Sequence, residues 1–224
     1  EMIEVQKVYR QESLHFLRLL EAVRVNTVDF DDLADLNERH RPGFQAEEGY
    51  VTLCARNATA DRVNRAALSQ LPGSEQVYLA EVQGKFEPEL FPTEAALKLR
   101  VGAQVMFVKN DLENNVVNGT IGQVTDLKSN QLTVETTADN GKKQKINVTA
   151  TEWEIIRYKS GLTGDIETES VGSFRQIPLK LAWAITVHKS QGKTFDRVVI
   201  DLEGGAFEHG QLYVALSRDR KSVV

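Results

Sequence analysis

Hydrophobic residues in the first third of the chain recur at the spacings expected of helices and strands. Segment 10–26 has an apolar residue at every third position, at Leu14, Leu17, Leu20 and Val23. This spacing predicts an amphipathic helix. Segment 29–40 predicts a second short helix, and the apolar run 50–54 predicts a buried strand that leads into a further helix. Residues 2–9 also resemble a strand. Alternating strands and helices are typical of an α/β fold.

From about residue 97 the pattern changes to short strand-like runs. Four runs predict strands, in the segments GAQVMFVKND, GTIGQVTDL, QLTVETTA and KKQKINVTA. Asn118-Gly119 and Asn140-Gly141 are turn signals among them. Segment 153–158 predicts a fifth strand, and segment 161–179 resembles a hairpin that leads out of this region. Short strands at this spacing favour a small barrel or sandwich.

The α/β pattern returns near the end of the chain. Segment 182–188 predicts a strand or the entry to a helix, and segment 197–202 predicts a buried strand. Segment 210–220 predicts a helix with an apolar face of Leu212, Ala215 and Leu216.

The three regions together predict a discontinuous organisation. Residues 1–95 and 160–224 form one α/β domain, which a small all-β domain at 96–159 interrupts. Neither end of the chain resembles a natural domain margin, so we expect a piece of a longer polypeptide.

Composition and charge exclude several classes of protein. The chain has 224 residues, of which 41% are hydrophobic and 26% charged, as in ordinary soluble domains. A net charge of -5 does not indicate nucleic-acid binding, although a local basic groove can lie in an acidic chain. The single cysteine, Cys54, excludes an internal disulfide and is interpreted as a core residue. No apolar run approaches the roughly 18 residues of a membrane span, so we expect no membrane partner. No His/Cys cluster indicates a metal.

The segment His188–Phe195, HKSQGKTF, ends like a phosphate-binding P-loop. The full pattern G-x-x-x-x-G-K-[ST] would place its first glycine five residues before Gly192, where this chain has Val187. A β-branched residue is unsuited to the positive φ that such a loop requires. No other G-K-[ST] occurs, so the segment needs another explanation.

Three separated segments resemble motifs of superfamily 1 DNA helicases of the RecD-like and PIF-type branch. Residues 182–202 resemble motif V, residues 211–220 resemble motif VI, and residues 5–11 resemble motif IV. In the same order, residues 50–64 resemble the strand, loop and helix after motif IV. Residues 97–124 resemble the start of the SH3-like insertion of this branch. The resemblance implies a RecA-like parallel-sheet domain interrupted by an SH3-like β-barrel.

The resemblance also implies what the chain does and what it lacks. The family carries its P-loop and Walker-B acid on the first RecA-like domain, whose motifs do not occur here. We therefore expect the carboxy-terminal motor half of an ATP-dependent DNA helicase, inactive alone. Its implied partners are single-stranded DNA and the amino-terminal P-loop domain of the same parent chain. ATP and Mg²⁺ belong to the intact enzyme, and we expect no cofactor bound tightly by this chain alone. We favour a cytoplasmic location, or a nuclear or organellar one in a eukaryote. The alternative is a non-catalytic nucleic-acid-binding or protein-interaction module built on the SH3-like domain.

Two arginines match catalytic positions of the family. Arg218, in motif VI, and Arg10, in motif IV, would sense the phosphates of ATP. A guanidinium suits this role because its planar fork pairs with two phosphate oxygens and stays charged. The alternative is a surface arginine at a helix end. Gln191 and Gly192, in motif V, are the implied nucleotide-binding residues.

Motif V predicts the DNA contacts. Its polar residues follow an apolar strand and should lie at the strand end, where α/β sheets bind ligands: Thr186, His188, Lys189 and Ser190. The family uses this loop to hold the backbone of single-stranded DNA, and these side chains can donate to phosphates without reading sequence. Arg56 and Asn57 follow strand 50–54 in an equivalent position. A core histidine at 188 and a capping role for residues 56 and 57 are the alternatives. Trp153 and Trp183 are interpreted as packing residues.

Overall fold

The structure, a computed structural model, describes residues 13–137, 141–160 and 166–218. The predicted strand at 2–9 and Arg10 lie outside the described residues. No helix in the described part of the chain is long and apolar enough to cross a membrane.

The chain divides into two compact units. Glu1–Asn64 and Trp183–Val224 form the first, here called the α/β unit, and Arg65–Ala182 form the second, here called the β unit. The predicted α/β fold interrupted by a β region is confirmed. The β unit takes in more of the chain than the predicted insertion at 96–159, because strands before and after that segment pair within it. Its SH3-like character stays a prediction.

The secondary structure follows the predicted alternation. In chain order the elements are α1 (Leu14–Val25), α2 (Phe30–Asn37), β1 (Val51–Cys54), α3 (Asn57–Gln70), β2 (Gln76–Leu79), β3 (Glu81–Gly84), a 3-10 turn (Pro88–Leu90), β4 (Ala96–Leu99), β5 (Gln104–Phe107), β6 (Ile121–Leu127), β7 (Gln131–Thr137), β8 (Lys143–Thr149), β9 (Thr151–Ser160), β10 (Ile166–Gln176), β11 (Leu179–Leu181), β12 (Ala184–Thr186), a 3-10 turn (His188–Ser190), β13 (Val198–Asp201) and α4 (Gln211–Leu216).

The α/β unit is built on three parallel strands in the order β12-β1-β13. Leu53 of the central strand is fully buried and lies opposite Ile185 on one side and Ile200 on the other. The backbone amide of Val187 donates to the carbonyl of Cys54, which ties the ends of β12 and β1 together. Because the strands are parallel, their carboxyl ends meet at one edge of the sheet.

The buried face of helix α1 overlaps the predicted one in part. Its buried residues are Phe16, Leu19, Leu20 and Ala22. Of the predicted residues, Leu20 lies in one cluster with Leu216 of α4, and Val23 packs against that cluster. Leu14 is 82% exposed. The predicted set stepped by three residues, and at about 100° per residue each step falls roughly 60° short of a full turn. Leu14 therefore lies about half a turn away from Val23. Leu212 of α4, which was predicted on the apolar face, is 41% exposed, whereas Ala215 and Leu216 are buried as predicted.

Cys54 is a core residue, as predicted. It is fully buried and clusters with Ala60 and Ala184. Burial, helped by the nearby charges of Asp201 and Glu203, raises the pKa of the thiol to about 11. The group is therefore a protonated core thiol.

The β unit is made of antiparallel sheets. Five strands pair in the order β11-β5-β6-β7-β8, three in the order β3-β10-β9, and β2 pairs with β4. The predicted strands at β5 to β9 are confirmed. The strands β2 to β4 have four residues each and were not predicted.

Phe174 and Gln176 form the centre of the β unit. Phe174 is fully buried and packs against Phe91 and Trp153, with ring centroids 4.5 and 5.9 Å away. Gln176 is also buried, and its Nε2 donates to the carbonyls of Tyr78, Glu94 and Ala95 at 3.0, 3.0 and 3.2 Å. Its Oε1 accepts from the backbone amide of the next residue at 2.9 Å. One side chain thus bonds to backbone groups of β2 and of the segment before β4, and ties the two segments together.

Candidate nucleic-acid interface

A cleft of about 540 Å³ opens where β1 and β12 end. Its lining comes from the α/β unit alone: Ala55, Arg56, Asn57, Thr186, His188, Lys189 and Phe207. The structure therefore brings together five of the six predicted DNA-binding residues from two segments far apart in the chain. Their role in DNA binding stays a prediction.

His188 and Glu208 form a close polar pair at this cleft. Nε2 of His188 lies 2.6 Å from a carboxylate oxygen of Glu208, and the two side chains are 48% and 54% exposed. The alternative of a buried core histidine is therefore excluded. Glu208 places a negative charge beside the cations of the cleft.

Lys189 is held by the residue that begins α3. Its Nζ donates to Oδ1 of Asn57 at 2.9 Å. The amide of Asn57 thus positions the ammonium across the gap between the two strand ends. Both side chains are exposed, so the ammonium can also reach a phosphate oxygen.

Arg56 lies beside an aromatic ring of the last loop of the unit. Its guanidinium carbon is 5.8 Å from the centroid of Phe207, and the ring of His188 is 6.3 Å from the same centroid. Gln211, which is buried, links this loop to the end of β1: its Oε1 accepts from the amide of Phe207 at 3.1 Å, and its Nε2 donates to the carbonyl of Ala55 at 3.3 Å.

Two of the predicted DNA contacts are buried. Thr186 is 5% exposed and lines the base of the cleft. Ser190 is fully buried, and its hydroxyl donates to the carbonyl of Val187 at 2.6 Å. The prediction treated Ser190 as a loop residue open to DNA, but the 3-10 turn directs this hydroxyl back onto the chain. Its geometry indicates that Ser190 shapes the turn.

The GKT sequence is not folded as a phosphate-binding loop. Val187 has a φ of -51°, within the right-handed region, and it begins the turn His188–Ser190. Gly192 does adopt a positive φ of 76°, which favours glycine. Lys193 is half-buried, and burial lowers its pKa. The predicted nucleotide-binding residues Gln191 and Gly192 are exposed here, and their nucleotide contact stays a prediction.

Arg218 lies two residues beyond α4, near the helix end as predicted. Its Nη1 approaches the carbonyls of Ser190 and Lys193 at 3.5 and 3.4 Å, and its Nε donates to the carbonyl of Val214 at 3.1 Å. The first two carbonyls flank Gln191 and Gly192. The motif V loop therefore carries the cleft residues at its start and lies against Arg218 at its end.

Sequence reasoning missed three residues of this site: Phe207, Glu208 and Gln211. They follow Gly204 and Gly205, which have positive φ values. A lone aromatic residue in a glycine-rich polar loop just before a helix was the available signal. In the described part of the chain, no group of three or more His, Cys, Asp or Glu side chains could hold a metal ion.

Comparison with known families matches two regions of the chain. The family described as "UvrD-like helicase C-terminal domain" matches residues 181–224. The family described as "DNA helicase Pif1, 2B domain" matches residues 89–127.

Individual relatives and solved structures match almost the whole chain. The zebrafish (Danio rerio) ATP-dependent DNA helicase PIF1 is 36% identical over an alignment of 227 positions, which covers 97% of this chain and 33% of that protein. An unliganded Pif1 from Bacteroides is similar over 97% of this chain and 50% of its own, with a TM-score of 0.84 and 36% identity. A structure of Bacteroides Pif1 bound to ssDNA covers 99% of this chain and 51% of its own, with a TM-score of 0.73 and 36% identity. The chain thus spans about a third of the curated relative and half of the solved ones.

Proposed function

Because this chain corresponds to the carboxy-terminal region of Pif1-type superfamily 1 helicases, we propose that it is the second motor half of an ATP-dependent DNA helicase. In this proposal the cleft at the ends of β1 and β12 holds the sugar–phosphate backbone of single-stranded DNA.

The observation that carries the proposal is the convergence of cationic and polar side chains at this edge. Arg56 comes from the end of β1, and His188 and Lys189 come from the end of β12. All three are exposed, and each can donate to a phosphate oxygen. Contacts to phosphates bind without reading the base sequence, as a translocating motor requires.

The nucleotide side of the proposal rests on Arg218. Arg218 can supply a guanidinium to a phosphate. The chain does not form a P-loop itself, because Val187 stands where the first glycine of that loop belongs and has a right-handed φ. We propose that ATP and Mg²⁺ are held by an amino-terminal P-loop domain of the intact protein. Arg218 would then stabilise charge on the phosphoryl oxygens during transfer. Gln191 and Gly192, whose flanking carbonyls face Arg218, would border the nucleotide.

The alternative, a non-catalytic module built on an SH3-like domain, is less well supported. Such a module requires the β unit alone, whereas the similarity to helicases covers 97% of the chain and includes the motif V and motif VI segments of the α/β unit. A binding module also has no need of an arginine at the position of Arg218.

Binding of a fluorescent single-stranded oligonucleotide to the intact protein tests the DNA site. Arg56→Ala and Lys189→Ala should each lower the affinity about five- to tenfold, because each removes one cation from the phosphate track. The slope of log affinity against log salt should become shallower by about 0.7 for each phosphate that the variant no longer binds.

Arg24→Ala is the matched control. Arg24 is an exposed cation of the same unit that pairs with Glu21 on α1 and does not line the cleft. An equal loss of affinity and of salt dependence for Arg24→Ala and Lys189→Ala would show that binding follows overall charge, and would refute the cleft as the DNA site.

A further inference from the structure

Phe207 presents an aromatic surface beside the proposed phosphate track. Its side chain is 52% exposed, although phenylalanine side chains are ordinarily buried. It lines the same cleft as Arg56 and Lys189. We propose that Phe207 is a stacking platform for a base of the single strand whose phosphates those cations hold. This inference rests on the proposed function and adds a contact to the base.

The position of the ring is built into the fold. The amide of Phe207 donates to Oε1 of Gln211, and Nε2 of Gln211 donates to the carbonyl of Ala55, directly before Arg56. Gln211 is only 4% exposed, so this link is shielded from water. The aromatic loop and the cationic strand end are therefore fixed relative to each other through one buried amide.

The surroundings of the ring select a nucleobase over an apolar protein partner. The guanidinium of Arg56 and the imidazole of His188 lie 5.8 and 6.3 Å from the centroid of the ring. An aromatic face beside cationic and polar side chains is what proteins without sequence preference use to bind single strands, because every base has a π-face and every nucleotide has a phosphate. A purely apolar partner would have to remove the guanidinium and the imidazole from water without compensation.

Stacking can be measured directly with 2-aminopurine, a base analogue whose fluorescence falls when it stacks. The unmodified intact protein should quench 2-aminopurine at one position of a bound single-stranded oligonucleotide. Phe207→Ala and Phe207→Leu should restore the fluorescence and lower the affinity roughly five- to tenfold. Phe207→Trp should retain both quenching and affinity.

Two controls separate stacking from folding and from backbone binding. Phe30→Ala removes an 84% exposed phenylalanine from α2 of the same unit, outside the cleft, and should change neither signal. An oligonucleotide of the same length without bases should bind the parent and Phe207→Leu equally, because it keeps the phosphates and offers nothing to stack.

The outcomes distinguish this inference from the proposed function. Salt-dependent binding without quenching at any position, or an equal loss of affinity by Phe207→Leu for strands with and without bases, would overturn the stacking role and leave the phosphate site standing. An intact protein that binds no single-stranded DNA would overturn both.

Discussion

The two units of this protein differ in how far apart in sequence their paired strands are. In the β unit, β6 to β8 and β9 with β10 are antiparallel neighbours in sequence as well as in space. In the α/β unit, β1 lies in parallel between two strands that follow more than a hundred residues later. Lys189 and Asn57, which share a hydrogen bond, are 132 positions apart. Parallel strands need a long crossover, and here the β unit is contained in one.

This difference explains why the candidate site lies in the α/β unit. Parallel strands bring all their carboxyl ends to one edge, so loops from distant segments meet there. The antiparallel β unit sends successive strand ends to opposite edges. Its buried polar residue Gln176 donates hydrogen bonds to backbone carbonyls inside the unit. Gln211 shows the contrasting use, since its buried amide holds a loop of the site.

The largest expected effect concerns the end of the motif V loop. Arg218→Ala in the intact protein should lower ATP turnover about a thousandfold or more, because the charge stabilises the transferring phosphoryl group. Single-stranded DNA affinity should fall only a few-fold, since Arg218 does not line the cleft. Phosphate-release kinetics and fluorescence anisotropy measure the two effects separately.

Two further variants sharpen that result. Arg218→Lys keeps the charge but loses the planar fork, so its turnover should remain far below that of the parent. Arg197→Ala removes an exposed arginine of the same unit, which lies over Tyr50, and should leave turnover unchanged. Turnover of Arg218→Ala close to the parent rate would mean that Arg218 is an ordinary helix-end charge.

The second effect concerns the interior of the β unit. Gln176→Leu should lower the free energy of unfolding by about 2–4 kcal/mol, because the carbonyl of Tyr78 and the amide of Ile177 each lose a buried hydrogen bond. In a Trp183→Phe background Trp153 becomes the only tryptophan and reports this unit by fluorescence, since it packs against Phe174. Gln83→Leu changes an exposed glutamine of β3 and should cost less than about 0.5 kcal/mol. Equal stability of the two variants would show that the hydrogen bonds of Gln176 contribute nothing measurable.

A smaller effect of opposite sign is expected at the cleft. Glu208→Gln removes the carboxylate that lies 2.6 Å from His188. Single-stranded DNA should then bind about two- to fivefold more tightly at low salt, because the negative charge of Glu208 no longer repels the phosphates. Anisotropy titrations measure it. Glu203→Gln is the control, since Glu203 pairs with Arg62, which is not a cleft residue, whereas Glu208 pairs with His188 of the cleft. Weaker binding by Glu208→Gln would instead assign the carboxylate to positioning His188.

The smallest effect is the pH dependence due to Cys54. Its pKa is raised to about 11 in the folded protein, so folding favours the protonated thiol. The contribution to stability is therefore complete below the ordinary thiol pKa and is lost as the pH rises from about 9 toward 11. Urea unfolding at pH 8 and pH 10.5 should show a smaller fall in stability for Cys54→Ala than for the parent. At pH 8 the folded protein should resist thiol reagents, and rapid labelling would contradict the buried, protonated state.

Much of the fold was predictable where local pattern and packing agree. The strands β5 to β8 were predicted because strand-like runs lie close together in sequence, with turn signals before β6 and β8, and each strand pairs with a neighbour. The strands β2 to β4 were not, because they bury two residues at most and so lack the apolar run that marks β1 and β5. The buried face of α1 was predicted only in part, because a three-residue repeat drifts around a helix and carries Leu14 away from the face that packs against Leu216 of α4.

The candidate site was also predictable from the sequence only in part. The sequence by itself determined which chemical groups follow β1 and β12, since Arg56, Asn57, His188 and Lys189 are polar residues directly after apolar strands. It also indicated the resemblance to superfamily 1 helicases, through the motif V segment around β12 and the motif VI segment on α4. Only the tertiary structure decided that the two loops share one cleft, that Ser190 turns inward, and that Phe207 and Glu208 join the site through Gln211. The physical reason is that a local pattern shows whether a residue lies on a strand or beyond its end. Parallel pairing brings together segments that are distant in sequence, and nothing in either segment alone identifies its partner.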